Sequence, residues 1–377
     1  MTMDGTAAAL DDARATAQDG TYPRPQMMRR TWTDLSGPWD FCFDDQDLGL
    51  AARWYRKPRF SASIIVPFPP ESPASKIHDT THHTLAWYHR DLALADLTRA
   101  GYGTSGSRLL LHFGAVDYRC RVWLNATLLG EHEGGHTPFS FDVTDALDLA
   151  LDAQSLVVRV EDDPLDLAKP RGKQDWQTDP HAIWYHRTTG IWQPVWLEAV
   201  PDVAIESVHW VPDVPASSVS VAVRLSARPP RNTSLTISLS FDGVGLGTVS
   251  FPVGSDRLDA VVPLSAQRNG QAYEEMLWSP EHPRLLDAVV ALRAGGEAPV
   301  VMDTVHSYVG LRSAAVERGA FLLNDRPYYV RSVLSQGYWP QSHLASPSAE
   351  ALREEVQLIK DLGFNAARVH QKIEDPR

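Results

Sequence analysis

The sequence predicts a mainly β protein: two antiparallel sandwiches followed by a short β-α-β segment. Short runs in which apolar and polar residues alternate recur from Trp32 to Leu292, with Gly, Asn, Asp and Pro between them. After Ala320 a helical period of apolar residues appears between two strand-like runs. Alternation with period two indicates strands that bury one face, and a period near 3.6 indicates an amphipathic helix.

The first sandwich is predicted over residues 29–200, after a disordered tail at residues 1–28. In Arg119–Leu124 and Ser155–Glu161 every second residue is apolar, as in strands that pack one face against a core. A stretch of about 170 residues is longer than an immunoglobulin-type sandwich of about 100 residues. We therefore predict a jelly roll.

The second sandwich is predicted over residues 201–312. Apolar residues alternate with small polar ones in Ser218–Leu225, Leu235–Phe241 and Ala288–Leu292. About 110 residues of such strands fit one immunoglobulin-like sandwich. No cluster of chemically reactive residues interrupts these runs, so the sequence favours a scaffold role for this part.

The last segment, residues 313–377, is predicted to contain one β-α-β unit. A strand is expected over Tyr328–Leu334 and another over Phe364–His370, with a helix between them that starts at the N-cap Ser346 and ends at Gly363. The apolar stripe of this helix is formed by Leu352, Val356, Ile359 and Leu362. Two strands joined by a helix indicate a parallel sheet.

Composition excludes several classes of protein. The 377 residues carry 35 Lys and Arg against 47 Asp and Glu, a formal net charge of −12, which argues against a nucleic-acid partner. No run approaches the roughly 18 apolar residues of a membrane span. The first thirty residues lack the apolar stretch of a signal peptide, and Cys42 and Cys120 are too few for a disulfide framework. These features predict a cytoplasmic protein with reduced thiols.

One short motif could suggest a metal. His132-Glu133-Gly134-Gly135-His136 matches the H-E-x-x-H pattern of zinc proteases, which requires a helix that places both histidines on one face. Two adjacent glycines in its centre disfavour a helix by about 1 kcal/mol each. We therefore predict a hairpin loop there, with no metal site and no cofactor in this chain.

The loop after the strand Ser155–Glu161 is a candidate ligand site. Between residues 169 and 176 it combines the cation Lys173, the carboxylate Asp175 and the indole of Trp176. Such a mixture suits a sugar, because hydroxyl groups need hydrogen bonds and the C–H face of the ring packs on an aromatic plane. The alternative is a loop held by internal ion pairs. Most tryptophans are expected in the core, with one or two forming a sugar platform.

Several short sequence motifs between Arg24 and the end of the chain resemble those of a known family. In the first half they are Pro25-Gln26, Leu35-Ser36-Gly37-Pro38-Trp39-Asp40-Phe41, Trp87-Tyr88-His89-Arg90, Phe113-Gly114-Ala115-Val116-Asp117, Val122-Trp123-Leu124-Asn125 and Gly130-Glu131-His132-Glu133-Gly134-Gly135. In the second half they are Gly190-Ile191-Trp192-Gln193-Pro194-Val195-Trp196-Leu197-Glu198, Trp278-Ser279-Pro280-Glu281-His282-Pro283, Val309-Gly310-Leu311-Arg312 and Phe364-Asn365-Ala366-Ala367-Arg368. In this order and spacing, the chain resembles the N-terminal portion of a glycoside hydrolase family 2 enzyme, the group of β-galactosidases, β-glucuronidases and β-mannosidases.

The resemblance implies a jelly-roll sugar-binding domain, an immunoglobulin-like β-sandwich and then a (β/α)8 barrel, of which residues 313–377 are the incomplete start. It also implies a retaining β-glycosidase that hydrolyses O-glycosidic bonds with two glutamates, an acid/base and a nucleophile. In the family these glutamates follow the fourth and seventh barrel strands. Because residues 313–377 correspond to the first two strands, we expect neither glutamate in this chain and no hydrolysis by it alone.

The resemblance also assigns individual residues. Arg368 matches the arginine that orients the nucleophile, and His370 lies where sugar-contacting residues occur. Gln336 and Trp339 are expected to line the same rim. In galactosidase- and glucuronidase-like members an aspartate that reaches the substrate lies six residues before the Gly-Ile pair, and Trp184 holds that position here. This departure argues for a different sugar, with Trp184 itself in the substrate site.

The expected partner is a carbohydrate substrate, a β-glycoside or an oligosaccharide. Family members often form oligomers, so the resemblance is also compatible with a homo-oligomer. The rival hypothesis is a non-catalytic carbohydrate-binding or assembly protein that uses the two sandwiches without a barrel. The sequence does not distinguish which sugar or linkage is bound.

Overall fold

The computed structural model describes residues 14–58, 60–265, 271–295 and 300–377. The protein is mainly β, with 44% strand and 10% helix, as predicted. It divides into two compact units. The first unit contains Thr31–Asp202 and Tyr329–Arg377, and the second contains Val203–Tyr328 with the described part of Met1–Arg30.

The first unit is built on antiparallel sheets. Its strands before residue 203 are β1 (Thr33–Asp34), β2 (Gly37–Phe43), β3 (Ala62–Val66), β4 (Leu85–Ala93), β5 (Arg108–Phe113), β6 (Val116–Asp117), β7 (Arg119–Leu124), β8 (Thr127–Glu133), β9 (Phe139–Asp142), β10 (Ala153–Glu161), β11 (Gly190–Ile191) and β12 (Val195–Val200). Helix α1 (Leu94–Arg99) follows β4. The strand orders are β3-β2-β4-β10-β7-β8, β1-β12-β5-β9 and, for a short pair, β11-β6.

Alternation along β7 and β10 explains how the six-stranded sheet buries both faces. The predicted strand Arg119–Leu124 is β7, and its Cys120, Val122 and Leu124 enter the main core. The reverse face is covered as well, because Trp87, Trp123 and Val157 pack under a separate aromatic layer. That layer consists of Trp54, Tyr55 and Phe60, with Cys42 and Leu50 beside it. Both cysteines are free thiols.

The second unit is also antiparallel. Its elements are β13 (Ile205–Asp213), β14 (Ser218–Leu225), β15 (Thr233–Phe241), β16 (Val244–Val253), β17 (Arg257–Pro263), α2 (Gln271–Met276), β18 (Leu286–Ala294), β19 (Val300–Val309), β20 (Ala314–Glu317), β21 (Ala320–Leu323) and β22 (Arg326–Pro327). Sheets β13-β14-β17 and β16-β15-β18-β19 enclose a core rich in Val and Leu. A three-stranded meander, β20-β21-β22, follows.

The N-terminal segment differs from the predicted disordered tail. Residues 1–13 of that tail lie outside the described residues. From residue 14 onward the chain forms 3-10 turns at Ala15–Ala17 and Pro25–Met27. Met27 joins the core of the second unit, and the backbone N–H of Met28 donates to the carbonyl of His306 at 2.9 Å. Burial of apolar side chains therefore orders this part of the segment.

The last segment forms β23 (Ser332–Ser335), α3 (Ala349–Asp361) and β24 (Ala366–Val369). The two strands pair in parallel, as predicted. The helix start was predicted two residues early, because Ser348 and not Ser346 is the N-cap. A residue before proline is restricted to extended backbone, which suits Ser346 to the loop that precedes the helix.

Residues after Tyr329 pack on the sandwich of the first unit. Leu344 and Ala345 are fully buried with Trp192. The ring of Tyr338 stacks on Tyr185 with 4.2 Å between centroids. These contacts bring the loop that follows β23 to the loop that precedes β11. Among the described residues, no helix combines the length and apolar character needed to cross a membrane.

Candidate functional site

A cleft of about 590 Å³ opens in the first unit beside the long loop between β10 and β11. Its walls are formed by His136, Leu167, Lys169, Pro170, Arg171, Gly172, Trp176, Trp184 and Gln371. Most of these residues belong to the loop in which the sequence predicts a sugar site. His136 comes from the loop between β8 and β9, and Gln371 lies just after β24.

Two indoles line the cleft, and each of them lies beside a cation. The rings of Trp176 and Trp184 lie 5.4 Å apart at an interplanar angle of 67°. The guanidinium of Arg171 lies 5.6 Å from the Trp176 ring, and the ammonium of Lys173 lies 5.0 Å from the Trp184 ring. Cation–π contacts of this kind hold flat indole faces in place. Trp176, Trp184 and Lys173 are thus brought together as the sequence predicts.

Asp175 stabilises the loop through hydrogen bonds within it. Its side chain is fully buried, and its carboxylate accepts hydrogen bonds from the backbone N–H of His181 at 2.7 Å and of Gln177 at 3.0 Å. The Nδ1 atom of His181 is also 2.7 Å from this carboxylate. Burial alone would raise the pKa of Asp175, but these hydrogen bonds outweigh it and lower the pKa. Asp175 therefore shapes the loop and is not among the cleft-lining residues.

His136 contributes a neutral imidazole to the cleft wall. Its ring packs edge-on against Trp192, with centroids 5.2 Å apart. Burial, aided by the nearby Lys372 ammonium, lowers the pKa of His136 to about 4. Neither ring nitrogen has a hydrogen-bond partner within the part of the chain that the structure describes. A neutral imidazole can both donate and accept a hydrogen bond, which suits a hydroxylated ligand.

A glycine permits the closest approach across the cleft. Gly172 has a φ of +64°, in the left-handed region. A Cβ atom at this position would lie 2.4 Å from the backbone carbonyl oxygen of Gln371. Only glycine therefore lets the loop meet the segment that follows β24 at this distance.

A buried polar network begins at the cleft wall. Lys169 forms an ion pair with Asp162, and Arg187 donates to the same carboxylate at 3.1 Å. Asp117 accepts a hydrogen bond of 2.6 Å from the Nε2 amide of Gln174. Asp162 is buried, and the two cations that reach its carboxylate compensate its charge.

The two aspartates of this network have opposite pKa shifts. Burial, followed by the negative charge of Asp162, raises the pKa of Asp117 to about 8. Burial also opposes ionisation of Asp162, but Arg187 and Lys169 outweigh it and lower the pKa of Asp162. At neutral pH the network therefore holds one proton on Asp117 and a charge on Asp162.

The residues assigned through the family resemblance lie at the ends of β23 and β24. Arg368 is exposed, and its Nη1 atom donates to Nδ1 of His370 at 3.1 Å. Gln336 has a buried Oε1 atom without a hydrogen-bond partner among the described residues. Trp339 is half-buried in a turn that pairs with His343. These four residues are not among those that line the cleft.

The H-E-x-x-H motif does not form the helix that the zinc-protease pattern requires. His132 and Glu133 lie in strand β8, and Gly134 and Gly135 begin the following loop, so the two histidines do not share a helix face. In the described ranges, no group of three or more His, Cys, Asp and Glu side chains could hold a metal ion.

Sequence reasoning missed the cleft residues His136, Gly172 and Gln371. In the sequence, His136 stands out only as part of the H-E-x-x-H pattern. The signal that could have found Gly172 is its residue type, because glycine in a loop readily adopts left-handed backbone and allows close approach. Gln371 has no local signal, because it reaches the cleft through the parallel pairing of β23 and β24.

The fold and the cleft together define a β-sandwich protein with an indole-lined polar cleft, a geometry that suits a carbohydrate ligand. Over 89% of its length the chain is 23% identical to a β-galactosidase of Thermoanaerobacter pseudethanolicus, and it covers 41% of that protein. Over 92% of its length it is 26% identical to the β-glucuronidase of Canis lupus familiaris, of which it covers 54%. These relatives confirm the resemblance to glycoside hydrolase family 2. No protein-family model matches the chain.

The chain spans about half the length of the curated relatives it matches. Solved structures agree on the fold. A β-glucuronidase from Ruminococcus gnavus superposes with a TM-score of 0.71 at 17% identity, covering 91% of this chain and 56% of that one. The β-glucuronidase of Lactobacillus rhamnosus gives a TM-score of 0.70 at 20% identity, covering 91% and 55%.

Proposed function

We propose that this chain is the N-terminal, substrate-side portion of a retaining β-glycosidase that hydrolyses O-glycosidic bonds. The observation that carries the proposal is the shared wall of the cleft. The loop with Trp176 and Trp184 meets Gln371. Gln371 directly follows His370, just beyond β24, the strand that contains Arg368. A sugar held on the indoles would therefore lie next to the strand end that the family resemblance links to catalysis.

We further propose the domain assignment of a jelly roll over 29–200, an immunoglobulin-like sandwich over 201–312 and the first β-α-β unit of a barrel over 313–377. The four- and six-stranded sheets around one core support the first assignment. Two antiparallel sheets around a second core support the next. The parallel pair β23 and β24, joined through α3, supports the last.

In the proposed reaction, this chain binds and orients while two glutamates outside it react. A retaining mechanism needs carboxyl groups about 5–5.5 Å apart, one as acid/base and one as nucleophile. The Arg368 guanidinium can hydrogen-bond such a nucleophile and keep it ionised. His370, already hydrogen-bonded to Arg368, can contact a sugar hydroxyl.

The identity of the substrate sugar is a separate proposal. The relatives are named β-galactosidase and β-glucuronidase. Trp184 replaces the aspartate that galactosidase- and glucuronidase-like members use, and its ring lines the cleft here. An indole offers a packing surface where a carboxylate would bind hydroxyl groups. We therefore propose a substrate other than a simple galactoside or glucuronide.

The test compares turnover with binding. The purified 377-residue chain is assayed with aryl β-glycosides and, separately, titrated with oligosaccharides while tryptophan fluorescence is recorded. We expect binding that Trp176→Ala weakens by about tenfold or more, since an aromatic contact contributes roughly 1–3 kcal/mol, and no turnover. Turnover would contradict the placement of both glutamates outside the chain. Trp32→Ala, outside the cleft lining, is the matched control.

The rival proposal is a non-catalytic carbohydrate-binding or assembly protein. The observation that favours it is that none of Gln336, Trp339, Arg368 and His370, the residues linked to the barrel site, is among those that line the cleft. The reading frame beyond codon 377 discriminates the two proposals. A continuation of about 200 residues, completing a barrel with an Asn-Glu pair, supports the enzyme. A stop codon at that point supports the binding protein.

A further inference from the structure

We propose that two stacked histidines, His186 and His343, form an acid-sensitive latch between two loops of the first unit. His186 lies in the long loop between β10 and β11, and His343 lies in the loop that follows β23. Protonation of either imidazole releases one loop from the other. This inference goes beyond the proposed function, because it concerns how pH controls the loop that carries Trp184 into the cleft wall.

The first argument is the geometry of the stack. The imidazole rings of His186 and His343 lie 4.9 Å apart between centroids and are almost parallel, with an interplanar angle of 7°. Beside them, Tyr185 stacks on Tyr338 with 4.2 Å between centroids. Two consecutive residues of one loop therefore pack face to face on the other loop. Neutral imidazole rings can stack in this way, whereas two imidazolium cations at this distance repel each other.

The second argument is a hydrogen bond that only neutral His343 needs. Its Nδ1 atom lies 3.2 Å from the backbone carbonyl oxygen of Arg187, so Nδ1 carries the proton and donates it to that oxygen. Acid would add the second proton at Nε2. Because His343 is only 4% exposed, the resulting charge would lie where little water can stabilise it.

The third argument is that the groups near the two rings do not neutralise an added proton. The titratable groups near His343 are His186 and His78, both basic. His186 also lies near His78, and near two carboxylates. Of these, Asp175 already accepts hydrogen bonds within its own loop, and Asp179 is exposed to water that screens its attraction. Among the described residues, neither stacked ring forms an ion pair with a carboxylate.

The direction of the pH effect follows from the pKa values. Burial, aided by His186 and His78, lowers the pKa of His343 from 6.5 to about 4, and burial also lowers the pKa of His186. Histidines in the released loops regain their ordinary pKa. The latch is therefore fully stabilised above about pH 6.5 and loses this stabilisation as the pH falls from about 6.5 to about 4.

The experiment measures hydrogen exchange of the 377-residue chain by mass spectrometry from pH 7 to 4.5, with the intrinsic exchange rate corrected at each pH. The reporters are the amides of residues 338–345 and that of Ala74, which donates to the carbonyl of Gln341 at 2.9 Å. We expect opening of this region to increase by about tenfold or more at pH 4.5, because His343 alone differs by roughly two pKa units between the two states. Exchange in β4 and β10 should not change.

Variants identify the titrating groups. His343→Asn keeps a side-chain donor near the carbonyl of Arg187 but cannot take up a proton, so most of the pH dependence should disappear. His186→Phe keeps a flat ring and should reduce the pH dependence. His132→Asn is the matched control, because His132 stacks on Phe139 with 4.0 Å between centroids and not on a second histidine. It should retain the wild-type pH dependence.

Near-ultraviolet circular dichroism checks that each variant is folded, and the half-buried His186 provides a second reading if His343→Asn does not fold. Opening of residues 338–345 that is independent of pH in the wild type would overturn the latch. Unchanged pH dependence in a folded His343→Asn or His186→Phe variant would overturn it as well. So would parallel acceleration in β4 and β10, which would indicate global acid unfolding. None of these outcomes affects the proposed carbohydrate binding, which is measured separately at pH 7.

Discussion

Asp117 and Asp162 are two buried carboxyl groups of the first unit whose pKa values shift in opposite directions. Both carboxylates are almost completely buried. Lys169 and Arg187 contact Asp162 directly, whereas Asp117 accepts from the neutral amide of Gln174. The cations therefore stabilise the charge on Asp162, and the cost of burying a second charge keeps the proton on Asp117.

This arrangement predicts a pH-dependent stability that Asp117→Asn removes. The folded-state pKa of Asp117 is raised from 3.8 to about 8. Between these values the unfolded chain loses the proton while the folded chain keeps it, so the contribution to stability falls as the pH rises from about 4 to 8. Urea unfolding at several pH values should show that Asp117→Asn gains stability relative to the wild type across this window.

The matched control is Asp152→Asn, on an exposed side chain. It should leave the pH profile of the unfolding free energy unchanged. If Asp117→Asn and the wild type have parallel profiles from pH 4 to 8, Asp117 is not the group that holds the proton.

Helix α3 shows how an element can be well formed yet leave its apolar side uncovered. None of its side chains is buried among the described residues; Val356 is 59% exposed, and Leu362, the C-cap residue, is 66% exposed. Because tertiary packing adds little, its end groups carry more of its stability. The Ser348 hydroxyl supplies such a group by accepting a hydrogen bond from the N–H of Ala351 at 3.1 Å.

We predict that Ser348→Ala destabilises α3 by about 1 kcal/mol, the usual cost of losing an N-cap. Hydrogen exchange of the backbone amides of Ala351 to Val356 should become about fivefold faster, which corresponds to that energy. Ser346→Ala is the matched control, because the structure assigns the cap to Ser348. Equal acceleration in both variants would contradict this assignment.

At the scale of the whole molecule, each of the two units is built from two segments that are far apart in the sequence. The second unit uses Arg29, whose guanidinium contacts the Asp303 carboxylate at 2.8 Å with both side chains less than 10% exposed. Arg29 also donates to the carbonyl of Ile205 at 2.7 Å. The N-terminal segment is therefore part of the core structure of a unit that otherwise begins at Val203.

We predict that Arg29→Ala destabilises the second unit by about 3–5 kcal/mol, because Asp303 would keep a buried charge without its cation. Hydrogen exchange should become faster in β13, β18 and β19 and remain unchanged in β4, β7 and β10. Arg224→Ala is the matched control in the same unit, since its ion pair with Glu206 is exposed and contributes at most about 1 kcal/mol. Equal destabilisation by Arg29→Ala and Arg224→Ala would show that the buried pair of Arg29 and Asp303 does not hold the N-terminal segment to the second unit.

The sequence determined the local structure and the chemical character of the site. Period-two alternation predicts β7 at its observed bounds, because a strand buries alternate residues wherever its partners lie. The mixture of Lys173, Trp176 and neighbouring polar residues predicts a ligand loop, and the structure places Trp176 in the wall of a cleft. Ligand binding there stays a prediction. The parallel pairing of β23 and β24 follows from one helix between two strands.

Only the tertiary structure decided which groups meet. It turns Asp175 inward to His181, buries Asp162 between two cations, and brings His136 and Gln371 to one cleft. These outcomes depend on contacts between residues that are far apart along the chain, and on the desolvation that those contacts cause. A sequence pattern records the chemistry of each side chain, whereas burial and pairing arise only when distant segments pack together.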